Sequence, residues 1–365
     1  MAVVTNIVKL SVCAGCGCVF GLAMEKGRVF EPQVIIDQLL MERFTMIKMF
    51  LSAIASGMFT FSLLSMCPPT QQYFRTSYNK YITGLLADKG YLSSGVGGAI
   101  LGVGMALCGS CPGMVYVQVG TGTQHAWITV LGSLSGAALY GIFEPFFTRI
   151  TRPNKPLSFS TLSQLMGGPY FTLALPMASV LAIFVFGAEL IAPWKTELIR
   201  PNLSYSKTVW EMQAWAPYIS GMLVGVVQIP ISIVTGHSVG SSSSFCTVVS
   251  QIFKGPLGEV SSYLNDYKSG YRRWWQVFFM GGAAVGGYLS SRASGTLGVT
   301  SGVSPLMAYT GGALMLIGSR IAAGCTSGHG LSGLGFLHVL SFTAVSAMFG
   351  SGIATAAIMR RYGVL

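Results

Sequence analysis

Charged residues are scarce in this sequence. Lysine, arginine, aspartate and glutamate make up 9% of the 365 residues, whereas hydrophobic residues make up 52% and the mean hydropathy is +0.61. A soluble domain carries roughly 25% charged residues, so this composition excludes a hydrated surface over most of the chain. The apolar runs are continuous and lack the alternation that membrane β-barrels require. The sequence therefore predicts an all-α membrane protein in contact with the lipid bilayer.

Acidic residues are scarcer than basic ones. There are 11 aspartates and glutamates against 22 lysines and arginines, which gives a net charge of +11. The basic residues are scattered over loops in runs of no more than two, so they favour lipid headgroups or an anionic substrate over nucleic acid. The apolar runs also lack aspartate, so a buried proton relay is not indicated.

Nine apolar stretches are long enough to cross a bilayer, whose core of about 30 Å needs roughly 20 helical residues. They are 5–24, 44–66, 95–119, 126–147, 170–192, 214–235, 274–291, 303–325 and 335–358. "RRWW" at 272–275 is typical of an interfacial aromatic belt. No second soluble domain is indicated, so residues 1–365 are predicted to form one membrane domain. We expect a multi-pass protein of the plasma (inner) membrane.

Part of the sequence occurs twice. "GGAILGVGMALCGSC" at 97–111 aligns with "GGALMLIGSRIAAGC" at 311–325 at a constant offset, with identical residues at five positions. A second pair, Gly17-x-x-x-Gly21 and Gly221-x-x-x-Gly225, relates spans one and six. Both pairings join spans five apart. Because that number is odd, the copies would cross the membrane in opposite directions.

This pattern predicts two inverted-topology repeats related by a pseudo-two-fold axis, an architecture typical of transporters. We place repeat one at about 1–150, a connecting loop at about 151–169 and repeat two at about 170–365. Segments after spans one, three, six and eight are candidates for re-entrant pieces. Irregular backbone is tolerated at membrane depth only where protein or water covers it.

Cys111 and Cys325 are the cysteines that the repeat duplicates. A buried cysteine is usually a small hydrophobe, but each of these follows a Gly-rich helix and precedes helix-breaking residues. We therefore expect both thiols at helix ends, on a substrate path. An uncharged thiol is a weak donor, so it can bind an anion without trapping it, as conduction requires.

Arg320 and His329 flank Cys325 in sequence. A charge within a span is costly and by default indicates function. The positive charge of Arg320 is predicted to stabilise an anion at the membrane midplane. The alternative is a structural ion pair with Glu25, Glu144 or Glu189. His329 is either a donor to the substrate or a packing residue.

Four serines, Ser241, Ser242, Ser243 and Ser244, lie in a segment that is too broken to span the membrane. Their hydroxyls either bind a tetrahedral oxyanion or satisfy backbone groups. The charged residues of "MEKGRVFEP" at 24–32 are expected to form a solvated interfacial cluster at a helix end.

The other cysteines leave two alternatives open. Cys108 and Cys111 form a CxxC motif, which would suit a membrane-embedded thiol oxidoreductase or sulfurtransferase. The repeat keeps only one of the two thiols, and no nearby base lowers a thiol pKa, so transport without enzymatic activity or a cofactor is preferred. Cys13, Cys16 and Cys18 could hold a metal, but packing within span one is the simpler interpretation.

Three motifs resemble the YeeE/YedE family of sulphur-transport membrane proteins, which includes thiosulfate transporters. They are "GVGMALCGSCPGM" (102–114), "GSRIAAGCTSGHGLSG" (318–333) and "FGLAMEKGRVFEP" (20–32). The resemblance covers most of the chain. It implies nine membrane helices in an inverted repeat, and uptake of thiosulfate through cysteines that bind the anion transiently.

The resemblance carries over to Cys111 and Cys325 and departs at one position. Family members with a thiosulfate path have a third cysteine after the first helix, where this sequence has Phe30. The predicted substrate is accordingly thiosulfate or a related small sulfur-containing anion. Whether conduction is passive, and whether a soluble sulfur-handling protein receives the anion, stay open.

Overall fold

The computed structural model describes residues 2–84, 89–153, 159–199, 208–252 and 261–364. These residues form helices and no β-strand, and the backbones of Thr161 and His338 pair in an isolated bridge. The predicted all-α fold is confirmed. The first half contains α1 (Ala2–Lys26), α2 (Pro32–Leu39), α3 (Thr45–Met66), α4 (Pro68–Thr83), α5 (Tyr91–Cys108), α6 (Met114–Gly120), α7 (Ala126–Thr151) and α8 (Leu162–Met166).

The rest of the described chain begins with α9 (Tyr170–Ile191), which is followed by a 3₁₀ turn (Trp194–Glu197). The helices after this turn are α10 (Pro217–Val226), α11 (Gln228–Thr235), α12 (Ser242–Ile252), α13 (Ser262–Asn265), α14 (Tyr271–Ala293), α15 (Pro305–Ile321), a π-helix (Thr326–Gly333) and α16 (Val339–Arg361).

Within the described residues, seven helical stretches are long and apolar enough to cross a membrane, one of them made of α10 and α11 together, and there are eight if α15 and the π-helix form one span bent by 46°. The seven are Asn6–Lys26, Thr45–Met66, Tyr91–Cys108, Ala126–Thr151, Tyr170–Ile191, Pro217–Thr235 and Val339–Arg361. The predicted span 95–119 is interrupted between α5 and α6. α14 covers the predicted span 274–291 but carries arginines at both ends. The protein is thus multi-pass, and the count of nine stays a prediction.

Glycines bring the long helices into backbone contact. Gly17 and Gly21 of α1 face carbonyl groups of α14, and Gly221 and Gly225 of α10 face the backbone of α3. A β-carbon at any of these four positions would overlap the neighbouring helix. The two Gly-x-x-x-Gly motifs therefore serve the same purpose, close approach of two helices, in two separate helix pairs.

The helices α5 and α15 form a third such pair. They run antiparallel, since Gly97 faces Ala322 and Gly311 faces Cys108. A β-carbon on Gly311 would lie 2.6 Å from the Cys108 backbone nitrogen. α5 also packs on α16, and α15 also packs on α7. The duplicated Gly-rich segments are thus in direct contact with each other.

The same left-handed turn follows both helices of this pair. Gly109, directly after α5, has φ +56°, and the matching residue after α15, Ala323, has φ +61°. Only glycine adopts this left-handed backbone without steric cost. Each turn redirects the chain two residues before a duplicated cysteine. The positions of Cys111 and Cys325 therefore follow from equivalent backbone turns.

Candidate functional site

Two cavities meet at residues 325–328, which we call the septum. Cys325 and Gly328 line a cavity of about 360 Å³, the vestibule. Thr326 and Ser327 line a smaller cavity of about 50 Å³, the apolar cavity. The left-handed turn before Cys325 and the π-helix after it replace regular helix here, and π-helical turns are frequent at functional sites. The septum is therefore a thin wall between two spaces.

The vestibule carries positive charge. Lys80 of α4, Arg273 of α14 and Arg320 of α15 line it, and no aspartate or glutamate is among its described lining residues. Hydroxyl groups of the segment 241–243 form another part of the wall. Basic side chains and hydroxyls without carboxylates are the groups that bind oxyanions.

Cys325 lies in a triangle of polar side chains at the septum. Its Sγ is 3.2 Å from Ser241 Oγ and 3.2 Å from Ser327 Oγ, and the two hydroxyls are 3.2 Å apart. The thiol is 1% exposed. A β-carbon on Gly113, two residues after Cys111, would lie 3.4 Å from Ser241 Oγ. The Cys111 turn thus approaches the same serine as Cys325.

Arg320 is buried and bonded to neutral groups. Its guanidinium donates to the hydroxyls of Tyr263 (2.7 Å), Tyr267 (2.8 Å), Ser242 (3.2 Å) and Ser243 (3.1 Å). Burial raises the pKa of the Tyr263 hydroxyl well above its ordinary value, so this partner stays uncharged. Its neighbours thus satisfy the donors and leave the positive charge in place.

The predicted alternative, an ion pair with Glu25, Glu144 or Glu189, is not formed. Glu25 lies beside Lys26 and Arg28, Glu144 accepts a hydrogen bond from Thr148, and Glu189 pairs with Lys48. Within the described ranges, no ion pair involves Arg320. A buried charge of this kind is costly unless something compensates it, which an anion in the vestibule would do.

Cys111 faces the apolar cavity. The other lining residues include Met24, Met46, Met49 and Phe50, and no charged residue is among the described ones. Polar groups enter this lining only through the thiol of Cys111 and the hydroxyls of the septum. Thioethers and aromatic rings are polarisable and only weakly hydrated. This cavity therefore suits a soft group better than a strongly hydrated one.

The remaining predicted residues lie away from the two cavities. Ser244 Oγ donates to the Ser241 carbonyl (2.6 Å) and contacts the Tyr116 hydroxyl at 3.1 Å. The ring of His329 is enclosed between Ser341 Oγ and the Ala322 carbonyl, each 3.0 Å from a ring nitrogen. The structure thus brings Ser241 to Cys325, and Ser242 and Ser243 to Arg320. Ser244 and His329 do not join them at the cavities.

Several lining residues were missed at the level of the sequence. The "RRWW" segment was expected at the membrane interface, but Trp275 is 3% exposed and lines the vestibule together with Arg273. The interfacial interpretation is therefore wrong for Trp275. Tyr267 of the lining and Tyr263, which holds Arg320 from outside both cavities, carry no motif and had no signal in the sequence. Lys80 lies on α4, which has no apolar run, and the excess of scattered bases was its only signal.

The cluster after α1 is a buried network. Glu25, Lys26, Arg28 and Glu31 are between 0% and 5% exposed, so the expectation of a solvated cluster is wrong. Arg28 pairs with Glu31 and lies over the ring of Phe30, 4.9 Å from its centroid. Glu25 also accepts a hydrogen bond from Ser290 of α14. Phe30 is fully buried within this network, where it lines neither cavity.

The other cysteines show no redox or metal geometry. All eight cysteines are free, and Cys108 Sγ lies 3.8 Å from the Ser110 carbonyl. Over the described parts of the chain, no group of three or more His, Cys, Asp or Glu residues could hold a metal ion. Cys13 and Cys16 are buried in the hydrophobic core.

Comparison with known proteins identifies the family. The model of the family described as "Sulphur transport" matches residues 26–355. The chain belongs to the sulphur transport family. Membership confirms the predicted resemblance, and it favours a membrane transport protein over an enzyme such as a thiol oxidoreductase or sulfurtransferase.

Two curated relatives extend along most of the chain. The thiosulfate transporter TsuA of Escherichia coli (strain K12) is 24% identical over 329 residues, covering 87% of this chain and 85% of that protein. The thiosulfate transporter TsuA of Spirochaeta thermophila (strain ATCC 700085 / DSM 6578 / Z-1203) is 24% identical over 344 residues, covering 90% of this chain and 92% of that protein. This sulphur transport family member is thus similar to them over nearly its whole length.

Proposed function

We propose that this protein transports thiosulfate, or a related small sulfur-containing anion, through the septum between Cys325 and Cys111. The observation that carries the proposal is the arrangement of two cavities on opposite sides of residues 325–328, with one thiol facing each cavity. The two thiosulfate transporters to which the chain is similar support the choice of anion.

The residues would act in sequence along this path. An anion in the vestibule would be stabilised by the uncompensated charge of Arg320. Ser241, Ser327 and the Cys325 thiol would then replace part of its hydration shell, since all three carry a hydroxyl or thiol donor. Beyond the septum the Cys111 thiol would receive it in the apolar cavity. A thiol is a weak donor, so neither site would hold the anion tightly.

Neither Ser244 nor His329 is needed on this path. Both ring nitrogens of His329 have protein partners, and Ser244 bonds to the backbone. We assign these two residues to positioning the turns, Ser244 in the 241–244 segment and His329 against Ala322.

The packing of the helices supports the inverted repeat as part of this proposal. α1 packs on α14 while α10 packs on α3, and α5 packs on α16 while α15 packs on α7. These contacts are the ones that two equivalent copies would make, one built from α1, α3, α5 and α7 and the other from α10, α14, α15 and α16 in the same order. α9 would then connect the two copies, so the single membrane domain would divide on either side of Tyr170–Ile191.

Uptake of radiolabelled thiosulfate into proteoliposomes tests the proposal. Wild-type protein is expected to take up the label, and Cys325→Ala and Cys111→Ala are each expected to abolish uptake. Cys108→Ala is the matched control, because its thiol lies in neither cavity. Normal transport by both Cys325→Ala and Cys111→Ala would show that the path lies elsewhere.

The same assay examines whether a soluble sulfur-handling protein is needed and whether Cys108 and Cys111 act together. Uptake by the purified protein alone would show that a soluble sulfur-handling partner is dispensable for conduction. If Cys108→Ala proved as damaging as Cys111→Ala, the CxxC motif would act as a unit and the path proposed here would be wrong.

A further inference from the structure

We infer that the vestibule is a general site for divalent oxyanions, which binds sulfate as well as thiosulfate, and that selection for sulfur takes place only beyond it, at the septum and the apolar cavity. Sulfate would thus be a ligand that occupies the protein without crossing it. This inference rests on the proposed function and assigns the two cavities different tasks.

Apart from the Cys325 thiol, which belongs to the septum, the vestibule has no group that distinguishes the two anions. Its donors are the Arg273 guanidinium, the Lys80 ammonium and the hydroxyls of the segment 241–243, and Arg320 adds its positive charge. These are N–H and O–H donors, which bind the oxygens of any tetrahedral dianion. Sulfate and thiosulfate share three such oxygens. At about 360 Å³ the vestibule also holds either anion together with water.

Arg273 adds its positive charge to those of Arg320 and Lys80 in the vestibule lining. Its guanidinium carbon lies 4.7 Å from the centroid of the Tyr267 ring, and Tyr267 also accepts a hydrogen bond from Arg320. One tyrosine therefore lies between two guanidinium groups. Over the described parts of the chain no ion pair involves Arg273. Two cations that share a neutral aromatic partner repel each other, and a divalent anion between them would relieve that repulsion.

The apolar cavity has the opposite character. Its described lining residues include no charged side chain, and four methionines, Phe50 and Cys111 are among them. Sulfate would have to give up water at all four oxygens to enter, with only a thiol and the septum hydroxyls in exchange. Thiosulfate can lead with its terminal sulfur, which is polarisable and makes favourable contacts with thioethers, rings and thiols. Passage is thus limited to anions with an exposed sulfur.

Competition in proteoliposomes tests this division. With equal sulfate on both sides of the membrane, uptake of radiolabelled thiosulfate is expected to show a raised apparent KM and an unchanged maximal rate. Radiolabelled sulfate is expected to accumulate no faster than in liposomes without protein. Absence of inhibition at sulfate concentrations far above the thiosulfate KM would overturn the inference, as would sulfate uptake at a rate comparable to that of thiosulfate.

Variants of Arg273 locate the site. Arg273→Gln is expected to raise the inhibition constant of sulfate about tenfold, because one partly solvated charge is lost, whereas Arg273→Lys retains inhibition. Arg361→Gln is the control: it removes an exposed charge at the far end of α16, away from the vestibule. Equal inhibition of Arg273→Gln and Arg361→Gln would place sulfate outside the vestibule.

Direct binding separates failure of this inference from failure of the transport proposal. Calorimetric titration of the purified protein with sodium sulfate, in sulfate-free buffer, is expected to show saturable binding that Arg273→Gln weakens. This result would support the vestibule site even if thiosulfate were not transported. Thiosulfate uptake without any sulfate binding would leave the transport proposal intact and refute the inference.

Discussion

The charge of Arg320 offers a quantitative test of how the vestibule attracts its anion. Arg320→Gln removes the charge and keeps a polar side chain. Two unit charges about 8 Å apart interact by about 2 kcal/mol at an effective dielectric constant of about 20, and by about 4 kcal/mol when one partner is divalent. We therefore expect the apparent KM for thiosulfate to rise by roughly 30-fold to 1,000-fold. The lower figure applies if water in the vestibule screens the charge.

The assay is the initial rate of uptake into proteoliposomes at increasing thiosulfate concentration. Arg320→Lys is the informative companion, because it keeps the charge but cannot donate to Tyr263 and Tyr267 in the same fork. It should stay within about tenfold of the wild-type KM while losing thermal stability.

Two outcomes would refute this reasoning. A folded Arg320→Gln protein with a KM within about threefold of wild type would show that the charge does not act on the anion. Equal loss in Arg320→Gln and Arg320→Lys would show that the hydrogen-bonded fork matters and the charge does not. The thermal unfolding midpoint in detergent, measured on each variant, separates both outcomes from simple misfolding.

Two further predictions concern stability. Gly311→Ala places a methyl group 2.6 Å from a backbone nitrogen of α5, and it is expected to lower the free energy of unfolding by about 1 to 3 kcal/mol. Gly281→Ala is the control, because no atom lies within 4 Å of the added methyl group, and it should leave the unfolding midpoint unchanged. A similar drop for both would contradict the close contact of α5 with α15. The buried Lys48 Nζ lies 3.1 Å from a carboxylate oxygen of Glu189 and 2.9 Å from one of Glu197. Lys48→Met removes this partner and should lower the free energy of unfolding by about 3 to 5 kcal/mol, which is measured as a drop in the unfolding midpoint. An unchanged midpoint would show that these carboxylates are protonated or hydrated.

The sequence predicts the local features of this protein well and its long-range contacts poorly. Scarce charge and continuous apolar runs were enough for the all-α membrane fold. Helix-breaking residues around Cys111 and Cys325 indicated that the helices end there, because such signals act within a few residues of their own position.

The contacts of these residues could not be predicted in the same way. Ser241 lies 84 positions from Cys325, and the two tyrosines that hold Arg320 lie 57 and 53 positions before it. Hydrophobic periodicity carries no information on such pairings. The duplicated glycines show the same limit, although their missing β-carbon is what lets another backbone approach. Their duplication indicated a repeat, but not that α5 and α15 contact each other.

The thinness of the septum also has an electrical consequence. Where water fills the vestibule, the membrane potential falls mainly across the short dry segment of residues 325–328 and the apolar cavity beyond it. Moving one elementary charge through the full potential changes its free energy by about 2.3 kcal/mol per 100 mV. A dianion would therefore meet about twice this amount over a few residues. Voltage should act on the step past Cys325 far more than on binding in the vestibule, so the rate of transport, and not the affinity, would respond to the energetic state of the membrane.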